Sequence, residues 1–275
     1  MAEPHEEWSD EQERTAVAVD GHHLEMAYRD EGGGEPVVFL HGVPTWSFLW
    51  HRVAPPLAEE YRTVVPDLVG YGNSASHDGF DRSIRAQEGA VADLLDALGL
   101  EQVTLVAHDT GGGVALRLAA HTDRVERLVL SNAACYDSWP VEFVANLGLP
   151  GTADVEPDAF EGKLDLAFGE GTYGEADSEF VAGMKAPWLG EGGRRALARA
   201  AVATNTNHTT EIAYGDIETD LLCLWGAGMQ PIAQGERLVE DVGGRLVGLE
   251  ESYHWVPEDR ADAYLRELRS FLGGA

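Results

Sequence analysis

A single carboxylate, Asp109, stands where an apolar run meets three glycines: residues 104–116 read T-L-V-A-H-D-T-G-G-G-V-A-L. Val103, Leu105 and Val106 have the character of a buried strand, and Val114 to Ala120 holds alanines and leucines with no helix breaker. A strand therefore turns sharply into a helix with Asp109 at the corner. Glycines beside such a corner permit its strained backbone and the close packing of helix on strand. A side chain there sits at the carboxyl end of a strand and the positive end of a helix, which favours a carboxylate and keeps it ionised. Open α/β sheets put their chemistry at this place. Asp is also a good helix N-cap, and the dipole lets one residue serve both roles.

The elements that must position Asp109 follow from periodicity. Residues 1–13 read as a frayed acidic lead. Thr15 to Val19 and Leu24 to Tyr28 are two β-rich runs joined by the turn Asp20-Gly21. Pro36 to Leu40 is an apolar strand ending in His41-Gly42-Val43-Pro44-Thr45-Trp46-Ser47, with a helix expected from about Phe48 to Glu60. Arg62 to Pro66 is the next strand, and Ser83 to Leu98 shows helical spacing with Gly99 as its stop. After the Asp109 corner, Val125 to Ser131 is again a strand. Residues 136–215 break this alternation with Gly, Pro, Trp and short helical pieces, too long a stretch for a plain loop, and read as an inserted helical cap. Leu221 to Trp225 and Arg245 to Leu249 resume the strands, and a helix from Pro257 to Leu272 closes the chain. The expected fold class is α/β, a mostly parallel sheet with helices on both faces. Its core comprises residues 14–135 and 216–275, with the cap at 136–215.

H-G-V-P-T-W-S-F-L-W, D-L-V-G-Y-G-N-S, V-A-H-D-T-G-G-G and L-V-L-S-N-A, spread over nearly the whole chain, resemble the α/β-hydrolase family. The likeness is to its branch of haloalkane dehalogenases and epoxide hydrolases, in which the corner carries Asp in place of Ser. The resemblance implies that Asp109 is a nucleophile that forms an alkyl ester with an sp³ carbon. It further implies that His254 is the base activating water to cleave that ester, and that the backbone N–H groups of Val43 and Thr110 form the oxyanion hole. Chemistry agrees: a carboxylate can displace halide or open an epoxide, whereas its attack on an ester gives an anhydride, a poor route to hydrolysis. His41 and His108 belong to loop motifs and read as braces. Dehalogenation is the expected reaction, epoxide hydrolysis the alternative, and a non-catalytic ligand-binding relative the further alternative.

Two departures from the family pattern bear on the chemistry. The acid that orients the histidine usually follows strand seven, where this chain reads Trp225-Gly226-Ala227-Gly228-Met229-Gln230-Pro231 with no carboxylate. The other position that some dehalogenases use, the end of strand six, holds Asn132, whose side-chain oxygen could orient the imidazole without stabilising its cation. Asp137 near the cap entrance is the remaining acidic candidate, since Asp216, Glu218 and Asp220 lie at the wrong end of the sheet. The residues expected to bind halide are also replaced, by Thr110 and Val43. Trp139 and Trp188 in the cap could supply an indole N–H to a leaving group. For an epoxide, Tyr136, Tyr173 and Tyr214 are the available proton donors.

Composition narrows the partners. The chain has 275 residues, with 48 Asp and Glu against 19 Lys and Arg, a formal net charge of −29. Such a surface repels nucleic acid and anionic membranes, leaving a small-molecule substrate and a monomer or homodimer as the expectation. No phosphate loop, dinucleotide fingerprint or metal-ligand cluster appears, so no cofactor and no metal are expected. Cys135 and Cys223 read as buried thiols of a reducing compartment, and the acidic N-terminus is unlike a signal peptide, so the cytoplasm is the expected location. The excess of acid and the presence of only two lysines, Lys163 and Lys185, point to a salt-loaded interior, where a Debye length of roughly 3 Å at 1 M removes self-repulsion. The thermal unfolding midpoint, followed by circular dichroism, should rise steeply between low and multimolar KCl; a flat response refutes salt adaptation.

Overall fold

Eight strands form one sheet in the order β1-β2-β4-β3-β5-β6-β7-β8. They are β1 (Glu13–Val19), β2 (His22–Glu31), β3 (Pro36–Leu40), β4 (Arg62–Pro66), β5 (Val103–His108), β6 (Val125–Ser131), β7 (Asp220–Gly226) and β8 (Arg245–Leu249). β2 pairs antiparallel with β1 and β4, and the remaining pairs are parallel. The computed structural model describes residues 2–205, 207–228 and 232–273. In chain order the helices are α1 (Pro4–Asp10), α2 (Ala54–Leu57), α3 (Ile84–Ala97), α4 (Thr110–His121), α5 (Glu142–Leu147), α6 (Pro157–Glu170), α7 (Ser178–Leu189), α8 (Gly193–Ala203), α9 (Asn207–Thr210), α10 (Ala233–Val242), α11 (Val256–Asp259) and α12 (Ala261–Leu272).

The central strands β3, β5 and β6 are buried almost end to end, as parallel strands covered on both faces must be. α3 begins where Ser83 caps it, the Ser83 side chain accepting from the Ala86 N–H. Helices α5 to α9 lie between β6 and β7 and bury Phe160, Leu164, Phe168, Phe180 and Met184. Two indoles tie this insertion to the loop after β3: Trp46 Nε1 donates to the Gly183 carbonyl at 2.8 Å, and Trp188 Nε1 donates to the Pro44 carbonyl at 2.6 Å. Among the described residues no helix is long and apolar enough to cross a membrane, and both cysteines are buried and unpaired.

Three local expectations fail. Phe48 to Glu60 is not one helix but a 3₁₀ turn at Ser47–Trp50 followed by α2; consecutive prolines, Pro55 and Pro56, deny it a continuous ladder. The final helix is broken at Arg260, whose φ of −137° separates α11 from α12. The start of the chain is not frayed. α1 carries Trp8, only 4% exposed, whose Nε1 donates to Ser47 Oγ at 2.9 Å beneath the Arg29 guanidinium at 4.0 Å. One aromatic residue in an acidic stretch thus anchors the segment over the functional loop. Trp8→Ala should cost about 3–5 kcal/mol of stability, read as a lowered midpoint of denaturant unfolding; an unchanged midpoint would show the lead to be dispensable.

Candidate active site

β5 delivers Asp109 to the carboxyl end of the sheet with φ of +54° and ψ of −126°, a conformation that costs a non-glycine residue free energy. The surroundings impose it. The Asp109 carbonyl accepts from Gly112 N at 2.9 Å and from Ala134 N at 2.8 Å, so the corner is clamped to α4 and to the chain after β6. A Cβ at Gly111 would stand 2.4 Å from the His41 carbonyl oxygen, and one at Gly112 would stand 2.3 Å from Ala133 Cβ. Glycine is required at both positions by close approach.

The carboxylate itself is fully buried. Val43 N donates to Asp109 Oδ1 at 2.8 Å, and the polar groups of Thr110 favour the ionised carboxyl. Gly42 makes the Val43 contact possible, since a Cβ there would lie 2.1 Å from Oδ1. Oδ2 accepts no hydrogen bond among the described residues and faces His254 Nε2 at 3.6 Å. Burial pushes the Asp109 carboxyl up to about 7, against the pull of the Thr110 and Val43 donors. Burial pushes His254 down to about 4. Above neutrality the site therefore holds an ionised carboxylate beside a neutral imidazole.

His254 is held through its backbone. Its N–H and that of Trp255 donate to the Gly171 carbonyl at 2.9 and 3.1 Å. Asn132, with φ of +40° at the end of β6, donates from Nδ2 to the Tyr253 and His254 carbonyls, both at 2.9 Å. Its Oδ1 accepts from Gly226 N at 3.2 Å. Asn132 therefore fixes the loop of His254 through its backbone, and the bonds it makes go to Tyr253, His254 and Gly226 main-chain groups, not to the imidazole. Asp137 is exposed and lies outside the cavity lining, so it is not a partner for His254. In the loop after β7, Met229, Gln230 and Pro231 lie outside the described residues.

A cavity of about 280 Å³ opens over Asp109 and His254. Val43, Pro44, Ala133 and Ala134 form its floor, and Trp139, Phe143, Val144 and Leu166 of the cap line its walls. Of the expected leaving-group residues, only Trp139 reaches it. The Trp188 N–H is consumed by the Pro44 carbonyl. The Tyr136 hydroxyl donates to Asp241 Oδ2 at 2.7 Å, under a ring stacked on Tyr214 and beneath Arg237. The Tyr214 hydroxyl donates to the Thr209 carbonyl at 3.0 Å, and Tyr173 is 46% exposed. Among the described residues no tyrosine lines the cavity. Sequence reasoning missed Trp225 and Trp255 as wall residues, although Trp225 stands near the carboxyl end of β7 and Trp255 follows the base. It also missed Glu170 and Gln234 at the lining. His41 is a brace as expected, donating from Nδ1 to the Gly42 carbonyl and accepting from Leu68 N at Nε2, each at 2.9 Å.

Burying Asp109 carries a pH signature. Its folded pKa lies above the unfolded one, so its contribution is fully present below about pH 4 and is lost as pH rises through 7. Asp109→Asn should therefore match the parent in stability at pH 3.5 and exceed it progressively toward pH 8, by at most about 4 kcal/mol. Thermal midpoints of both proteins across this range check the slope, and a gap independent of pH would contradict it.

The family profile described as alpha/beta hydrolase fold matches residues 35–156. A haloalkane dehalogenase of Mycobacterium marinum is 34% identical over 179 residues, which are 57% of this chain and 60% of that enzyme. The match thus spans less than two thirds of that relative's length. A soluble epoxide hydrolase of Corynebacterium sp. is 30% identical over 268 residues, 86% of this chain and 89% of that enzyme. The crystal structure of a haloalkane dehalogenase from Bradyrhizobium elkani superposes with a TM-score of 0.79 at 22% identity, covering 96% of this chain and 98% of that one. With a near full-length relative at this identity, a shared fold and an acidic corner residue on β5, the chain belongs to the α/β-hydrolase family, in the branch of haloalkane dehalogenases and epoxide hydrolases.

Proposed function

We propose that this chain is a cofactor-independent hydrolase acting at sp³ carbon, with Asp109 as nucleophile and His254 as base. One observation carries the reading: the two oxygens of Asp109 have different surroundings. Oδ1 is held by the Val43 N–H, whereas Oδ2 accepts no hydrogen bond and faces the cavity histidine. Oδ2 attacks the substrate carbon, the carbon–leaving-group bond breaks with its electron pair, and an alkyl ester forms on Asp109. His254 Nε2 then takes a proton from water, and the resulting hydroxide adds to the ester carbon Cγ. Negative charge develops on Oδ1, where the Val43 N–H already points; one such donor is worth roughly 3 kcal/mol of barrier. The bond from Cγ to the alkyl oxygen breaks, and the His254 proton passes to the departing alcohol.

The cavity favours a halide leaving group over an epoxide. An opening epoxide needs a proton donor at its oxygen, and the hydroxyls of Tyr136 and Tyr214 are spent on Asp241 and on the Thr209 carbonyl. A halide departs without a proton, and Trp139 lines the wall. Neither Asn132 nor Asp137 supplies a carboxylate to the imidazole. Intact-protein mass spectrometry after mixing with 1-bromobutane should show a butyl adduct on Asp109, transient in the parent and persistent in His254→Ala. An adduct with styrene oxide alone would assign the epoxide reaction, and no adduct from either compound on folded protein would leave the binding role.

A further inference from the structure

The charged side chains lining the cavity are of one sign. Asp109 lies at its floor and Glu170 at its lining, with no Lys or Arg among the described lining residues. Glu170 is the last residue of α6, whose final turn carries no basic residue. An acid at that end opposes the helix dipole. Two other acids of the same helix are compensated, Glu161 and Asp165 holding Lys185 Nζ at 2.8 and 2.6 Å. Glu170 forms no such pair among the described residues. Its backbone is tethered, because the next residue, Gly171, accepts the backbone hydrogen bonds of His254 and Trp255, and its exposed side chain stands at the lining of the cavity.

We propose that Glu170 is a specificity-determining residue, and that the preferred substrates are amphiphilic electrophiles, with an apolar chain bearing the reactive sp³ carbon at one end and an ammonium-type cation at the other. The substrate class rests on the alkyl-ester reading of Asp109. The chain occupies the apolar wall of Trp139, Phe143 and Leu166 while the cation meets the Glu170 carboxylate. A substrate ending in a carboxylate meets two acids and a chain of net charge −29. A bound cation also gives Asp109 a positive neighbour, which favours its ionised form. The acid limb of ester formation should therefore sit at lower pH for the ammonium substrate than for a neutral one.

Two measurements separate this proposal from the reading beneath it, in the lowest KCl that keeps the protein folded. Binding of the inert ligands hexyltrimethylammonium and hexanoate, followed by calorimetry, needs no catalysis. The ammonium should bind about three- to fivefold more tightly to the parent than to Glu170→Gln, the scale of an exposed ion pair, and hexanoate should bind the variant better. Both differences should shrink in 2 M KCl. Ester formation is then compared for (4-bromobutyl)trimethylammonium, its neutral isostere 1-bromo-5,5-dimethylhexane, and 5-bromopentanoate. The ammonium should lead through KM rather than kcat, and its lead over the isostere should vanish in Glu170→Gln. Equal ammonium binding by parent and variant, with the neutral bromide still forming ester, overturns the role of Glu170 and leaves the hydrolase reading standing. No ester from any bromide, with binding still dependent on Glu170, overturns the hydrolase reading and the reactive half of the substrate class while supporting the cation site.

Discussion

The contact between Val43 N and Asp109 Oδ1, 2.8 Å long, requires two backbones from adjacent parallel strands to meet at one carboxylate. β3 and β5 are neighbours in the sheet, and their chains turn toward each other beyond its carboxyl edge. Nothing larger than glycine fits at position 42, where a Cβ would overlap the carboxylate. The strained φ of Asp109 and the glycines after it serve the same approach from the other side. A second buried acid fixes the loop that carries Val43. Asp67 accepts from Ser47 N, Asn73 N and Gln12 Nε2, joining that loop to the one after β4 and to the segment following α1. The N-terminal Trp8 completes the junction through Ser47. The geometry at Asp109 therefore depends on residues remote in sequence that share one network.

How far this was legible in the sequence depends on whether a feature is local. The Asp109 corner is local: strand character, acid and three glycines stand within a dozen residues, and the spacing alone fixes where the side chain emerges. The start of α3 near Ser83 and the strands of the parallel sheet are legible for the same reason. Residues 1–13 were misread because one tryptophan outweighs six acids only when its pocket exists, and that pocket is built from Ser47, Arg29 and Phe48. The helix expected after Phe48 failed on proline chemistry that the sequence itself contains.

The side-chain partners were the least legible part. Indole and phenol groups in the cap all looked equally able to face a substrate, and only tertiary packing distinguishes them. Trp188 and Tyr136 are spent on Pro44 and Asp241, while Trp139 remains at the wall. Asn132 shows the same limit. Its position after β6 stands out in the sequence, yet an amide has donors as well as an acceptor, and the carbonyls of Tyr253 and His254 and the N–H of Gly226 at the end of β7 engage them. A carboxylate at that position could accept from Gly226 N but could not donate to the carbonyls of Tyr253 and His254. The amide suits a loop clamp for the same reason that it cannot serve as the acid of a triad.

The loop of His254 is also tied to the helices between β6 and β7: the backbone N–H groups of His254 and Trp255 both end on Gly171, directly after α6. The cap is in turn fastened to the loop of Val43 by Trp46 and Trp188. The donor at Oδ1 and the imidazole at Oδ2 are thus both referenced to the cap, from opposite sides of the same carboxylate. Moving α6 removes the acceptor of two N–H groups in the loop of the base, and moving α7 disturbs the loop that carries the donor. The wall of the cavity and the alignment of Asp109 with His254 thus share the same hydrogen-bonded supports.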